Sequence, residues 1–214
     1  MAYRKYGTCF FERYAALELQ QLLGHKFDDL VNDDRPDLQS SDHRRLGIEV
    51  TRAMEQGRAE AQQMLKKISG VVDVDTHVED DILKMTESGY GYGIHDVLVG
   101  HLESDYWRSA LPMKQIIASK VGKVASGFYG NFEEFGLFVF SKDHVTELSA
   151  MDTVRFILSL QRDNDLRYAR LFISCVDMLY ACNLEDGISD AYRMTEIEIS
   201  REQRRTFYLD ALKY

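Results

Sequence analysis

Apolar residues recur at helical spacing in Phe11, Tyr14, Ala15, Leu19, Leu22 and Leu23, which predicts a helix over 10–23 that ends at Gly24 as a C-terminal cap. The period then changes. In Leu46-Gly47-Ile48-Glu49-Val50-Thr51 apolar and polar positions alternate, as in a half-buried strand. Leu46, Ile48 and Val50 would share one face of it, with Glu49 and Thr51 on the other. Residues 52–69, with Met54, Ala61, Leu65 and Ile68 roughly on one side and no proline, predict a second helix. Met113, Ile116, Ile117, Lys120, Val121 and Val124 predict a third over 113–126, with a lysine inside its apolar stripe.

The second half of the chain reads as strands separated by helix. Leu137-Phe138-Val139-Phe140 and Leu171-Phe172-Ile173-Ser174-Cys175 are short apolar runs of the type found in the middle of a covered sheet. Between them Met151 to Leu160 has helical spacing, and Met178 to Cys182 is expected to pair beside the second run. Residues 193–200 alternate like an edge strand, and 201–214 would form a terminal helix. This order predicts an α/β fold with a central sheet flanked by helices on both faces. One domain is expected over 1–214, with an insertion at about 71–112. Within that insertion, Gly89-Tyr90-Gly91-Tyr92-Gly93 reads as a turn or lid whose tyrosines are candidates for stacking on bases, and Tyr106-Trp107-Arg108 is similar.

Composition narrows the function classes. At 214 residues and 45% hydrophobic, the chain can bury a full core. It has no apolar run of membrane-spanning length and no signal-like start, and three cysteines, Cys9, Cys175 and Cys182, lack metal-ligand spacing. A cytoplasmic location with buried, reduced thiols is the expectation. A net charge of −9 argues against a broad nucleic-acid footprint. Local basic groups remain in Arg44, Arg45, Arg52, Arg58, Lys66, Lys67, Arg201, Arg204 and Arg205.

The candidate chemistry lies between the first helix and the alternating strand. Asp37, in Asp34-Arg35-Pro36-Asp37, is separated from Glu49 by eleven residues. Pro36 favours an extended residue before it and suits the edge of a short strand, and the polar 39–45 reads as a turn, so Asp37 is delivered beside Glu49. Two carboxylates held about 4 Å apart repel by roughly 4 kcal/mol at an effective dielectric of about 20. A hard divalent cation such as Mg²⁺ offsets this with oxygen ligands and retained waters, one of which can attack a phosphodiester. The other acids of 28–37 read as a solvated turn, since the spacing lacks the glycine and glutamate of a calcium loop. His43 falls between the two acids, where solvent exposure or a proton relay are both open.

Pro36, Asp37 and Glu49, together with the order of elements, resemble the PD-(D/E)XK nuclease superfamily, the restriction-endonuclease-like fold. The resemblance implies a mixed central sheet and a Mg²⁺ or Mn²⁺ site on Asp37 and Glu49. It also implies that an acid on the first helix completes the site; Glu18, next to the helix end and nearer the segment leading to Asp37, is preferred to Glu12, with solvated helix charges as the alternative for both. Thr51 stands where the family pattern has a lysine that steadies charge on the phosphate. Lys120 is the expected substitute if it points inward; otherwise it sits at the stripe's margin and snorkels to water. Lys123 faces away from Ile116 and Ile117. The function so implied is a Mg²⁺-dependent nuclease acting on nucleic acid, DNA more than RNA, without a membrane. The alternative is a catalytically silent binding or regulatory module of the same fold, as a homodimer or with a protein partner.

Overall fold

The computed structural model describes residues 6–54, 111–141 and 144–212. In chain order it contains α1 (Tyr6–Leu23), β1 (Leu30–Asn32), β2 (Leu38–Ser40), β3 (Leu46–Met54), β4 (Leu111–Pro112), α2 (Met113–Ala125), β5 (Glu134–Ser141), α3 (Glu147–Leu160), β6 (Tyr168–Cys175), β7 (Met178–Asn183), β8 (Met194–Glu198) and α4 (Arg201–Leu212). The fold class is α/β with one mixed sheet. Its order is β1-β2-β3-β5-β6-β7-β8, and the two-residue β4 lies beside the end of β3. The β1-β2-β3 and β6-β7-β8 meanders are antiparallel, whereas β3, β5 and β6 run parallel to one another.

Alternation along the central strands sorts side chains into two cores. Phe138, Phe140, Phe172 and Ile48 join Phe11, Tyr14 and Leu19 of α1 and Phe207 of α4. Leu137, Val139, Leu171 and Ile173 join Ile117, Val121 and Val124 of α2 and Ala150, Val154 and Ile157 of α3. Helical stripes at i, i+3, i+4 and strand alternation at i, i+2 thus meet in two clusters.

Several boundaries differ from the sequence expectation. The polar 39–45 is not all turn: Leu38–Ser40 pairs with β1 and β3, and all three residues are buried. Buried Gln39 donates to the Pro36 carbonyl (3.2 Å), and the Ser40 hydroxyl accepts from the Leu46 N–H (3.0 Å), so their polar groups are satisfied inside. The turn narrows to 41–45, where Asp42 accepts from the N–H groups of Arg44 and Arg45 (3.0 and 3.1 Å). The residue before Pro36 is not extended either; Arg35 has φ 69°, inside a tight loop closed by the Asp33 N–H donating to the Asp37 carbonyl (3.0 Å). Residues 52–54 continue β3 rather than opening a helix. The rest of that proposed helix, most of the 71–112 insertion, its tyrosines and Trp107 lie outside the described residues. Helix α3 starts a turn before Met151, its expected first residue, because Thr146 and Ser149 cap each other's backbone N–H. Cys175 and Cys182 are free and buried, as expected.

One glycine fixes how the loop before β2 meets β3. A Cβ on Gly47 would stand 2.7 Å from the Pro36 Cγ and 3.0 Å from the Phe132 ring. Gly47→Ala is expected to cost about 1–3 kcal/mol by overpacking. Denaturant unfolding would measure it; an unchanged midpoint would show that Pro36 does not bear on β3.

Candidate functional site

The site begins with a gap in the sheet. On the edge of β3 opposite β5, β2 reaches only Gly47 and Ile48, and β4 meets only Ala53 and Met54. Among the described residues, Glu49 to Arg52 therefore have no strand neighbour on that edge. The unused Val50 N–H points into the gap, and the carboxylate of Asp37, one residue before β2, accepts from it at 2.7 Å. A side chain has taken the place of a ladder partner, which satisfies the backbone and fixes the acid beside β3.

Glu49, next along β3, lies on the α2 side of the sheet, as its alternation predicts. There it meets Lys120 of α2, which donates to its Oε1. Both side chains are largely buried, at 9% and 13% exposure, so the pair is shielded from solvent screening. Lys120 is therefore inward-pointing, and the snorkelling alternative is not what the structure shows. Lys123 faces elsewhere, with its Nζ 5.0 Å from the Phe128 ring centroid.

Of the two acids on α1, Glu12 rather than Glu18 approaches the pair. Asn32 bridges them, its amide donating both to the Glu12 carboxylate and to the Asp37 carbonyl (2.9 Å). Burial first, then the charge of Glu49, raises the Glu12 carboxyl above its ordinary value against the pull of Asn32. Asp37 is raised in the same way, by burial and then by Glu49 and Glu12, against the Val50 N–H and Lys120. Burial and mutual repulsion of the three acids outweigh the pull of Lys120 on Asp37 and of Arg13 on Glu12. Glu18 is fully buried in the other core. Its polar neighbour there is the Ser174 hydroxyl, and burial pushes its carboxyl up to about 8.

Tyr129 closes the Glu49 side. Burial first, then the Glu49 charge, holds its phenol well above the ordinary value of 10, and Tyr168 behind it is raised for the same leading reason. Among the described residues neither hydroxyl closes a hydrogen bond of ordinary geometry. Tyr129 is thus a neutral donor beside a carboxylate. Nothing in the sequence pattern singled it out. His43 is half exposed in the turn and bonds Gln39 at 2.8 Å, so it takes no part in this cluster.

The donor set suits a hard cation: carboxylate oxygens that repel one another, and no thiolates among them. Among the described residues no three acid, histidine or cysteine side chains converge as a complete protein cage. Mg²⁺ does not require one, since it keeps several waters and is commonly held by one or two carboxylates. Asp37 and Glu49 are the two carboxylates that could serve in this way, and each already has a partner, the Val50 N–H and Lys120. No helix among the described residues is long and apolar enough to cross a membrane. No family model, no curated protein and no solved structure matches this chain.

Proposed function

We propose that this chain is a divergent PD-(D/E)XK nuclease that hydrolyses phosphodiester bonds of nucleic acid, with DNA preferred, using Mg²⁺ or Mn²⁺ held by Asp37 and Glu49. The fold reading that goes with it is a restriction-endonuclease-like sheet flanked by helices on both faces. The observation that carries the proposal is the meeting of Glu49 with Lys120 from a different element, beside an Asp37 locked onto Val50. Acid pair and lysine converge although position 51 is threonine. The bound cation supplies charge neutralisation at the phosphate and a more acidic water. Asp37 and Glu49 would hold the cation, Glu12 would accept from a water on it, and Lys120 would place a positive charge beside the phosphoryl oxygens as the sugar oxygen leaves. The neutral Tyr129 phenol lies beside the Glu49 carboxylate.

A second reading draws on the same contact: Lys120 already balances Glu49, so the pair also suits a silent module of this fold that binds a protein partner or a second copy. Incubation with single- and double-stranded DNA and RNA, in Mg²⁺, Mn²⁺ or chelator, separates the two. The nuclease reading expects metal-dependent cleavage that Glu49→Ala reduces by at least about a hundredfold. Cleavage of none of the four substrates, with no metal-induced rise in melting temperature, leaves the silent module.

A further inference from the structure

Three residues that are sequence neighbours of the site form a patch on its rim. Arg35 lies two residues before Asp37, Lys123 three residues after Lys120 on α2, and Phe128 immediately before Tyr129. Phe128 is 46% exposed, unusual for so large an apolar ring. The Arg35 guanidinium stands 5.2 Å from its ring centroid and the Lys123 Nζ 5.0 Å, and the Phe128 ring meets that of Tyr129 edge-on at 5.2 Å. A half-exposed ring thus carries a guanidinium and an ammonium over it, and the guanidinium also pairs with the exposed Asp34 (3.5 Å), so a stacking base would take the place of one cation over the ring.

We infer that this patch is a stacking platform for an unpaired base, so that the substrate strand is single-stranded or frayed where it crosses the site. A π-face is available to stack only when a base is outside its duplex, whereas the paired bases of intact duplex are already stacked on each other. Arg35 and Lys123 then lie where the phosphates on either side of that base run, and a guanidinium also stacks on a base plane. Contact between Phe128 and Tyr129, which faces Glu49, sets the platform on the side of the site where the acids lie. The inference rests on the proposed nuclease reading for the position of that bond, but base capture itself can be read without cleavage.

The test is fluorescence anisotropy of the full chain with a labelled single-stranded oligothymidylate and with a blunt duplex of equal length, in chelator. The single strand is expected to bind more tightly than the duplex. Phe128→Ala should weaken it roughly 5- to 150-fold, while Phe128→Tyr retains it. Lys123→Ala should lower the slope of log affinity against log salt by about one contact. Equal binding by Phe128→Ala, equal binding of the duplex, or no binding of the single strand overturns the platform. Metal-dependent cleavage with an indifferent Phe128 would leave the nuclease standing and remove the platform; Phe128-dependent binding without cleavage would do the reverse.

Discussion

Lys120→Met should abolish cleavage and also destabilise the protein, and the two losses should respond differently to a second substitution. Methionine keeps most of the length and apolar stem of lysine while removing its charge, so α2 keeps its packing beside Ile117, Val121 and Val124. What is lost is the donor to a Glu49 side chain only 9% exposed. An unbalanced buried carboxylate costs about 3 kcal/mol or more. Adding Glu49→Gln, which removes the stranded charge, should recover most of that stability, as expected for a coupled pair. It should not recover turnover, which is expected to stay at least about a hundredfold down because both the cation ligand and the fixed positive charge are gone. Mg²⁺ should raise the melting temperature of Lys120→Met more than that of the unaltered chain, since it then provides the only compensation for Glu49. Denaturant unfolding of the four forms gives the coupling, and a purely additive result would mean that the contact contributes nothing.

The faces of β3 were legible in the sequence because a strand's side chains alternate with period two whatever surrounds them. Ile48 and Glu49 had to part company, and they do. Lys120 was legible in half: its place in the apolar stripe of α2 left an inward and a snorkelling lysine both open, and only the fold supplied the partner that makes burial tolerable. The opening between β2 and β4 was not readable at all. It arises from where two distant segments stop pairing with β3, and Asp37 owes its exact anchorage at Val50 to that opening.

The acids of α1 show the same limit from the other side. Glu18 continues the spacing of Phe11, Tyr14 and Ala15, so helical period alone places it on the buried face, and Glu12 one residue beyond Phe11 falls on the flank. Nearness along the chain to the segment leading to Asp37 favours Glu18, whereas helical phase favours Glu12. Phase prevails, because a helix 18 residues long carries its two acids about 9 Å apart along the axis. The loop ending in Asn32 folds back to the Glu12 end.

A buried acid away from the site gives the second large effect. Burial pushes the Glu18 carboxyl from 4.5 up to about 8, with the Ser174 hydroxyl offsetting only part of the cost. The folded chain therefore holds this proton over a range of pH in which the unfolded chain releases it. Below pH 4.5 both states keep it and the group costs nothing by ionisation. From about 4.5 to 8 stability falls by about 1.4 kcal/mol per pH unit from this group alone, and above 8 the full penalty, a few kcal/mol, is in place. Glu18→Gln preserves the shape and cannot ionise, so it should unfold at a similar denaturant concentration at pH 4.5 and a clearly higher one at pH 8. The difference between the two proteins, measured from pH 4 to 9, isolates Glu18 from Asp37 and Glu12, which titrate in both. A difference that does not change with pH would mean that Glu18 reaches water or a counter-charge, and that α1 does not seal it against the sheet.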